Sequence, residues 1–192
     1  MSDLFQRGSR RDLFRHAVGE WVERLMLQAE ERVAPGKWHR PPGALPEVAL
    51  AAACTRCDAC INACPAQALM RVPVEGGLAA GTPYLDPRLQ PCLVCADMPC
   101  AAACPTDALT VPETGWAGLR LAEVTFVPER CVTFEGIACG VCAASCPVGE
   151  SALMMDEGGH PVLRREGCVG CGICVRACIT SPSSFELTET ER

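Results

Sequence analysis

Four cysteines fall between residues 54 and 64 in the run CTRCDACINACP, and three further groups of four follow along the chain. The quartets are Cys54, Cys57, Cys60 and Cys64; Cys92, Cys95, Cys100 and Cys104; Cys131, Cys139, Cys142 and Cys146; and Cys168, Cys171, Cys174 and Cys178. Together they use all 16 cysteines of the 192-residue chain and start at near-equal intervals, so an internal repeat organises the sequence and carries its function. The last cysteine of the first three quartets is followed by proline, at Pro65, Pro105 and Pro147, whereas the fourth quartet has Ile179 there.

Three chemistries compete for such a pattern. Disulfides call for a secretory context, and thiols three residues apart in every repeat are poorly placed to pair with one another. Zinc sites use two Cys-x2-Cys pairs separated by a longer loop, and here the third and fourth thiols follow too soon. The run C-x2-C-x2-C-x3-C-P is the bacterial ferredoxin signature, in which three thiolates hold one 4Fe-4S cube and the fourth ligates the other cube of a pair. All sixteen cysteines are therefore candidate cofactor and metal ligands, for four 4Fe-4S clusters. Composition agrees: 49% of residues are hydrophobic but only 5% aromatic, too few large rings for an ordinary core of this length. A net charge of -6 gives no basic footprint for nucleic acid.

Reach explains the spacing. Two intervening residues bring successive side chains to neighbouring corners of a cube, and the fourth thiol, read as the start of a helical turn, points away to serve a second cube. Proline after it fixes the backbone and removes a donor. The first and last quartets have the full spacing. The second has four residues between Cys95 and Cys100, and the third has seven between Cys131 and Cys139, which implies distinct cluster environments and distinct potentials.

The segments between quartets repeat as well. ALMRV from Ala68, ALTV from Ala108 and ALMM from Ala152 are apolar, and each precedes a turn marked by Gly76-Gly77, by Gly115 and Gly118, or by Gly158-Gly159. Extended pieces such as AEVTFVPERC and HPVLRREGC then lead to the next quartet, so a short hairpin is expected in every repeat. Val127, Val162 and Leu153 are expected to be core that shields the clusters. The fold class is α+β: tandem bacterial-ferredoxin-like units, each for two 4Fe-4S clusters, with short hairpins and helical turns, plus an N-terminal amphipathic helix. The expected domains are 1–46 (helix and Pro-rich linker), 47–112 (quartets one and two) and 113–192 (quartets three and four). Pairing of neighbouring quartets is favoured over nesting the second and third inside the first and fourth. His16, His39 and His160 are read as surface residues, since the quartets already supply complete thiolate sets.

The four segments RPPGALPEVALAAACTRCDACINACP, AGTPYLDPRLQPCLVCADMPCAAACP, CVTFEGIACGVCAASCP and CVGCGICVRACITSP, spanning about 40–187, resemble the NapG/MauM-type polyferredoxins, with NapF a functional cousin. The likeness includes the unusual second and third spacings. It implies four 4Fe-4S clusters and electron transfer to, or maturation of, a respiratory oxidoreductase such as periplasmic nitrate reductase, with formate dehydrogenase a comparable guess and methylamine utilisation another setting. The implied partner is a molybdenum- or tungsten-type oxidoreductase or its electron donor.

The first forty residues depart from that pattern. Arg10 and Arg11 in GSRRDLFRHA resemble a twin-arginine export motif, but Glu20, Glu23, Arg24, Glu30, Glu31 and Arg32 interrupt the apolar region such a signal needs. No run is long enough to span a membrane, so a cytoplasmic location is expected, with membrane association through a partner at most. Phe14, Ala17, Val18, Trp21, Leu25, Met26 and Ala29 recur at helical spacing. This amphipathic helix either packs on the protein's own body or docks a partner, and APGKWHRPPGALP reads as a stiff linker behind it.

Signatures of S-adenosylmethionine radical chemistry, haem c and dinucleotide binding are absent from the sequence. The expected function is electron transfer through clusters, not catalysis. The alternatives are a cytoplasmic maturation factor and a fixed wiring subunit of a larger oxidoreductase.

Overall fold

A computed structural model of the protein describes residues 38–188. The expected N-terminal helix, His16 and the Arg10–Arg11 pair lie outside the described residues.

Helix α1 (Glu47–Ala53) leads into the first quartet, and each quartet then builds one short helix around its third cysteine. These are α2 (Ala59–Ala63) with Cys60, α3 (Pro99–Ala102) with Cys100, α4 (Val141–Ala144) with Cys142 and α5 (Ile173–Ala177) with Cys174. Three of them start from a left-handed residue, Asp58, Met98 or Gly172, which turns the chain sharply out of the preceding cysteine loop. In the first and fourth quartets the fourth cysteine ends the helix instead of starting one, and in the second and third it follows the cap; Cys64 caps α2 with extended geometry, φ -74° and ψ 112°. The cause is Pro65, because the ring of a proline disfavours the helical region for the residue before it.

The extended segments form three two-stranded antiparallel ribbons. In the first, β1 (Leu69–Arg71) pairs with β2 (Pro83–Leu85), Leu69 opposite Leu85. Strand β3 (Glu123–Phe126) waits for the end of the chain, where β6 (Phe185–Thr188) pairs with it, Phe126 opposite Phe185. Between them β4 (Leu153–Met155) and β5 (Pro161–Leu163) form a hairpin. Hairpins therefore follow the first and third quartets only. After the second quartet the chain instead pairs back through a single bridge, Ala44 with Leu109, because Pro112 stops the extension one residue past Val111.

Small apolar clusters fill the space between these pieces, and cysteines are built into them. Ala122, Val124, Cys142, Leu153, Cys174, Phe185 and Leu187 are buried together, and a second cluster gathers Leu50, Met98, Ala101, Ala108 and Leu109. A third joins Leu69, Leu85, Cys100 and Leu121. Leu153 is core as expected. Val162 is 39% exposed, because alternate residues of a ribbon face opposite sides and Leu163 takes the inward position.

Residues 38–46, part of the expected linker, are packed against the first two quartets. His39 bridges Leu85, and Arg40, only 1% exposed, donates Nε and Nη2 to the two carboxylate oxygens of Glu47 at 2.7 and 2.6 Å. Its Nη1 donates to Thr82 Oγ1 and to the Pro83 carbonyl at 3.0 and 2.8 Å, which ties this segment to β2. The polar signature of a linker and of a buried clamp are alike in sequence, and only the carboxylate in the next helix distinguishes them.

The first and second pairs of quartets meet along one seam. Leu121 N–H donates to Val169 O at 2.8 Å, Cys92 N–H to Cys171 O at 3.2 Å, and Arg88 Nη2 to Leu187 O at 3.1 Å. Among the described residues no helix is long and apolar enough to cross a membrane.

Candidate iron–sulfur centres

The structure gathers the sixteen thiols into four sets, and in each set three come from one quartet and the fourth from its neighbour. Cys54, Cys57, Cys60 and Cys104 line one hollow, site I. At site II a charge on Cys64 bears on Cys92, Cys95 and Cys100 alike. Cys146, Cys168, Cys171 and Cys174 line a second hollow, site III, and Cys131, Cys139, Cys142 and Cys178 a third, site IV. Quartets one and two thus exchange their last thiols, as do quartets three and four. This is the neighbour arrangement.

All sixteen cysteines are free thiols. Among the described residues no three His, Cys, Asp or Glu side chains converge closely enough to hold a single metal ion. Four thiols lining one hollow suit a polynuclear centre with one ligand per corner. The donor set therefore fits a 4Fe-4S cube.

Backbone N–H groups aim at the sulfurs in a repeating way. The residue two positions after the first cysteine donates to that cysteine's Sγ: Arg56 to Cys54 at 3.4 Å, Val94 to Cys92 at 3.5 Å and Gly170 to Cys168 at 3.4 Å. All three donors are left-handed, with φ of 59°, 57° and 69°, and that conformation is what folds the N–H back over the sulfur. At Gly170 a side chain is also excluded by the Ala122 carbonyl, 1.9 Å from where a Cβ would stand. The fourth cysteines receive later donors, from Ala68 to Cys64, Leu109 to Cys104 and Ser184 to Cys178, each at 3.4 Å.

Residues 53–108 match the 4Fe-4S dicluster domain family, and residues 128–149 and 165–180 match the 4Fe-4S binding domain family. Among full-length relatives, the ferredoxin-type protein NapG of Escherichia coli (strain K12) is 37% identical over 174 residues, covering 85% of this chain and 75% of that one. The methylamine utilization ferredoxin-type protein MauM of Paracoccus denitrificans is 38% identical over 157 residues, 77% and 70% of the two chains. NapF of Escherichia coli is 29% identical over 171 residues, 84% of this chain and 97% of that one. The chain belongs to the NapG/MauM family of ferredoxin-type proteins.

Within this NapG/MauM-type chain the four sites are not electrically alike. At sites II and III burial pushes the thiols up, to about 12 for Cys100 and Cys171, and neighbouring thiolates add to it. Cys60 of site I is pushed to about 11 by burial. Cys57, the exposed one, is held below the ordinary thiol value by the Ala59 N–H and the Thr55 hydroxyl. Burial raises Cys178 too, but the Thr180 hydroxyl and the Ser184 N–H outweigh it and bring the thiol down to about 7.

Sequence reasoning on this NapG/MauM-type chain missed these hydroxyls. Thr133 Oγ1 lies 3.2 Å from Cys131 Sγ, Thr180 Oγ1 3.1 Å from Cys178 Sγ, and Thr106 Oγ1 3.8 Å from Cys104 Sγ. The signal was present as Cys-x-Thr at Cys104, Cys131 and Cys178. Nor are the two described histidines plain surface residues. Both are half-buried: His39 Nδ1 lies 3.4 Å from the Leu121 carbonyl, and His160 stacks on Phe134 with centroids 4.2 Å apart.

Proposed function

We propose that the protein is an electron carrier whose sixteen cysteines hold four 4Fe-4S clusters, Cys54, Cys57, Cys60 and Cys104 the first, Cys64, Cys92, Cys95 and Cys100 the second, Cys146, Cys168, Cys171 and Cys174 the third, and Cys131, Cys139, Cys142 and Cys178 the fourth. The observation that carries this reading is the exchange of the last thiol between neighbouring quartets, which a pair of adjacent cubes requires. On this reading quartets one and two make one ferredoxin-like unit and quartets three and four a second in tandem. Each cluster, when bound, supplies a one-electron couple. The chain's own residues supply the thiolates, aim N–H donors at the sulfurs and keep water out with the small apolar clusters around them.

Catalysis belongs to a partner. We place that partner among the respiratory oxidoreductases implied by the NapG-like motifs, with periplasmic nitrate reductase the model case; the relatives lend formate dehydrogenase no support. The MauM relatives, by name, associate this architecture with methylamine utilization.

Metal analysis of protein purified without oxygen tests the reading. About sixteen irons with matching sulfide are expected, four for each cube. Tightly bound zinc with little iron overturns it. A pull-down from anaerobic cells separates the roles: a stable stoichiometric partner supports a wiring subunit, and capture of a precursor enzyme with its signal peptide supports a maturation factor. Location in the cytoplasm rests on the charged residues behind Arg10 and Arg11, and twin-arginine export of a reporter fused after Pro46 overturns it.

A further inference from the structure

Site IV differs from the other three in how its sulfurs are hydrogen-bonded, and this inference rests on the four-cluster reading above. The third quartet's long insertion removes the backbone donor found two residues after the first cysteine in the other quartets. Thr133 occupies that position, is buried, and presents its hydroxyl to Cys131 Sγ at 3.2 Å. A hydroxyl has one proton. With a thiolate as acceptor, Thr133 donates to sulfur and must accept from its other neighbour, His160 Nδ1, at 3.2 Å. The stack on Phe134 and the bond from His160 N–H to Asp156 Oδ1, 2.8 Å, hold that histidine in place.

The same logic applies on the opposite side of the hollow. Thr180 Oγ1 lies 3.1 Å from Cys178 Sγ and 3.1 Å from Ser184 Oγ. Ser184 Oγ is farther from that sulfur, at 3.7 Å, so Thr180 donates to the thiolate and accepts from the Ser184 hydroxyl, while the Ser184 N–H donates to the same sulfur at 3.4 Å. Ser184 is 1% exposed, so water does not compete for this chain. Each relay has two links, and in such chains each bond polarises the next and strengthens it. Among the described residues the donors to the sulfurs of site II are backbone N–H groups, whereas at site III the Arg120 guanidinium also bears on Cys168 beside the Gly170 N–H. Burial does not separate sites II and IV, which have one buried thiol each, Cys100 and Cys142, so the difference between them lies in the donors.

Reduction of a thiolate-ligated 4Fe-4S cube adds one electron and one unit of negative charge. Donors aimed at its sulfurs stabilise that extra charge, and burial without donors opposes it. We propose that the relays His160–Thr133–Cys131 and Ser184–Thr180–Cys178 raise the reduction potential of site IV above that of site II. Electron transfer from site II to the set held by Cys131, Cys139, Cys142 and Cys178 is then downhill. Thr133 and Thr180 are positioning residues in this role, since they act through the ligands.

Redox titration followed by electron paramagnetic resonance, on anaerobically purified full-length protein, tests this. Thr180→Val keeps the side-chain shape and removes the donor. A negative shift of one cluster's midpoint potential is expected, at the signal that Cys178→Ser alters, with the other three unmoved and the iron content unchanged. Thr180→Ser restores the potential. Thr133→Val, on the independent relay, shifts the same cluster in the same direction, and Ser184→Ala does so by less because the Thr180 hydroxyl remains. The proposal is overturned if Thr180→Val and Thr133→Val retain all their iron and move no potential, or move different clusters. If one variant loses iron, the other relay decides between the same two outcomes. Wild-type protein with fewer than four clusters instead refutes the reading on which the proposal rests.

Discussion

The backbone N–H of Cys92 donates to the carbonyl of Cys171 at 3.2 Å, so candidate ligands of sites II and III are joined by one hydrogen bond. The approach depends on the next residue, Gly172, whose φ is 83° and whose missing Cβ would stand 2.3 Å from Cβ of buried Pro87. Gly172→Ala is expected to add about 1–2 kcal/mol of left-handed strain and about 1–3 kcal/mol of overpacking. The thermal midpoint for loss of the brown colour should fall well below that of Gly136→Ala, which shares the positive φ but has no atom within 4 Å. Equal midpoints would mean the seam is loose.

Exchange of the fourth thiols makes a second prediction that sequence neighbours alone would get backwards. Cys64 follows Cys54, Cys57 and Cys60 closely along the chain, yet its charge bears on Cys92, Cys95 and Cys100. Cys64→Ala should disturb the cluster of the second quartet and spare those of the third and fourth. Spectra of this variant beside Cys92→Ala should show the same signal altered. Disturbance of a signal sensitive to Cys168→Ala would instead point to nested pairing.

The candidate ligands were legible because cysteine spacing is a direct record of reach around a cube, and nothing else in the chain competes with it. The short helices were legible only in part. Proline after the fourth cysteine marks where α2 ends and not a helical turn starting at that cysteine, since the restriction falls on the residue before the ring. The two missing hairpins were illegible for a different reason: β3 and β6 pair across 58 intervening residues, from Phe126 to Phe185, and local alternation carries no information about so distant a partner. Arg40 and the Thr133 and Thr180 hydroxyls escaped because their roles depend on what folding sets beside them. Thr180 is an ordinary loop threonine until Ser184 and Cys178 stand on either side of it.

Metal removal should unfold the protein, not merely bleach it. Cys142 and Cys174 are part of the core cluster with Phe185 and Leu187, and Cys100 is part of the one with Leu69 and Leu85, while no disulfide ties the described chain together. With 5% aromatic residues the apolar clusters alone are small. Anaerobic treatment with an iron chelator and a reductant is expected to abolish far-ultraviolet circular dichroism structure in step with iron loss. A metal-free protein that keeps its native spectrum would place the stability in the apolar clusters instead.

The clamp between Arg40 and Glu47 makes the last prediction, because its two halves are unequal. Arg40 is 1% exposed and Glu47 has a third of its side chain in solvent, so the cation depends on the carboxylate more than the reverse. Glu47→Ala leaves a buried guanidinium with only Thr82 and the Pro83 carbonyl, and the cost of such an uncompensated charge is about 3 kcal/mol. Partial exposure of the pair keeps the cost at about 3 kcal/mol and below that of a fully buried pair. Arg40→Met with Glu47→Gln removes both charges and keeps the volume, and the double variant is expected to be more stable than Glu47→Ala alone. Guanidinium unfolding of the three holoproteins, followed at the cluster absorbance, measures the order. A double variant weaker than Glu47→Ala would show that the Thr82 and Pro83 bonds, and not charge pairing, hold residues 38–46 against β2.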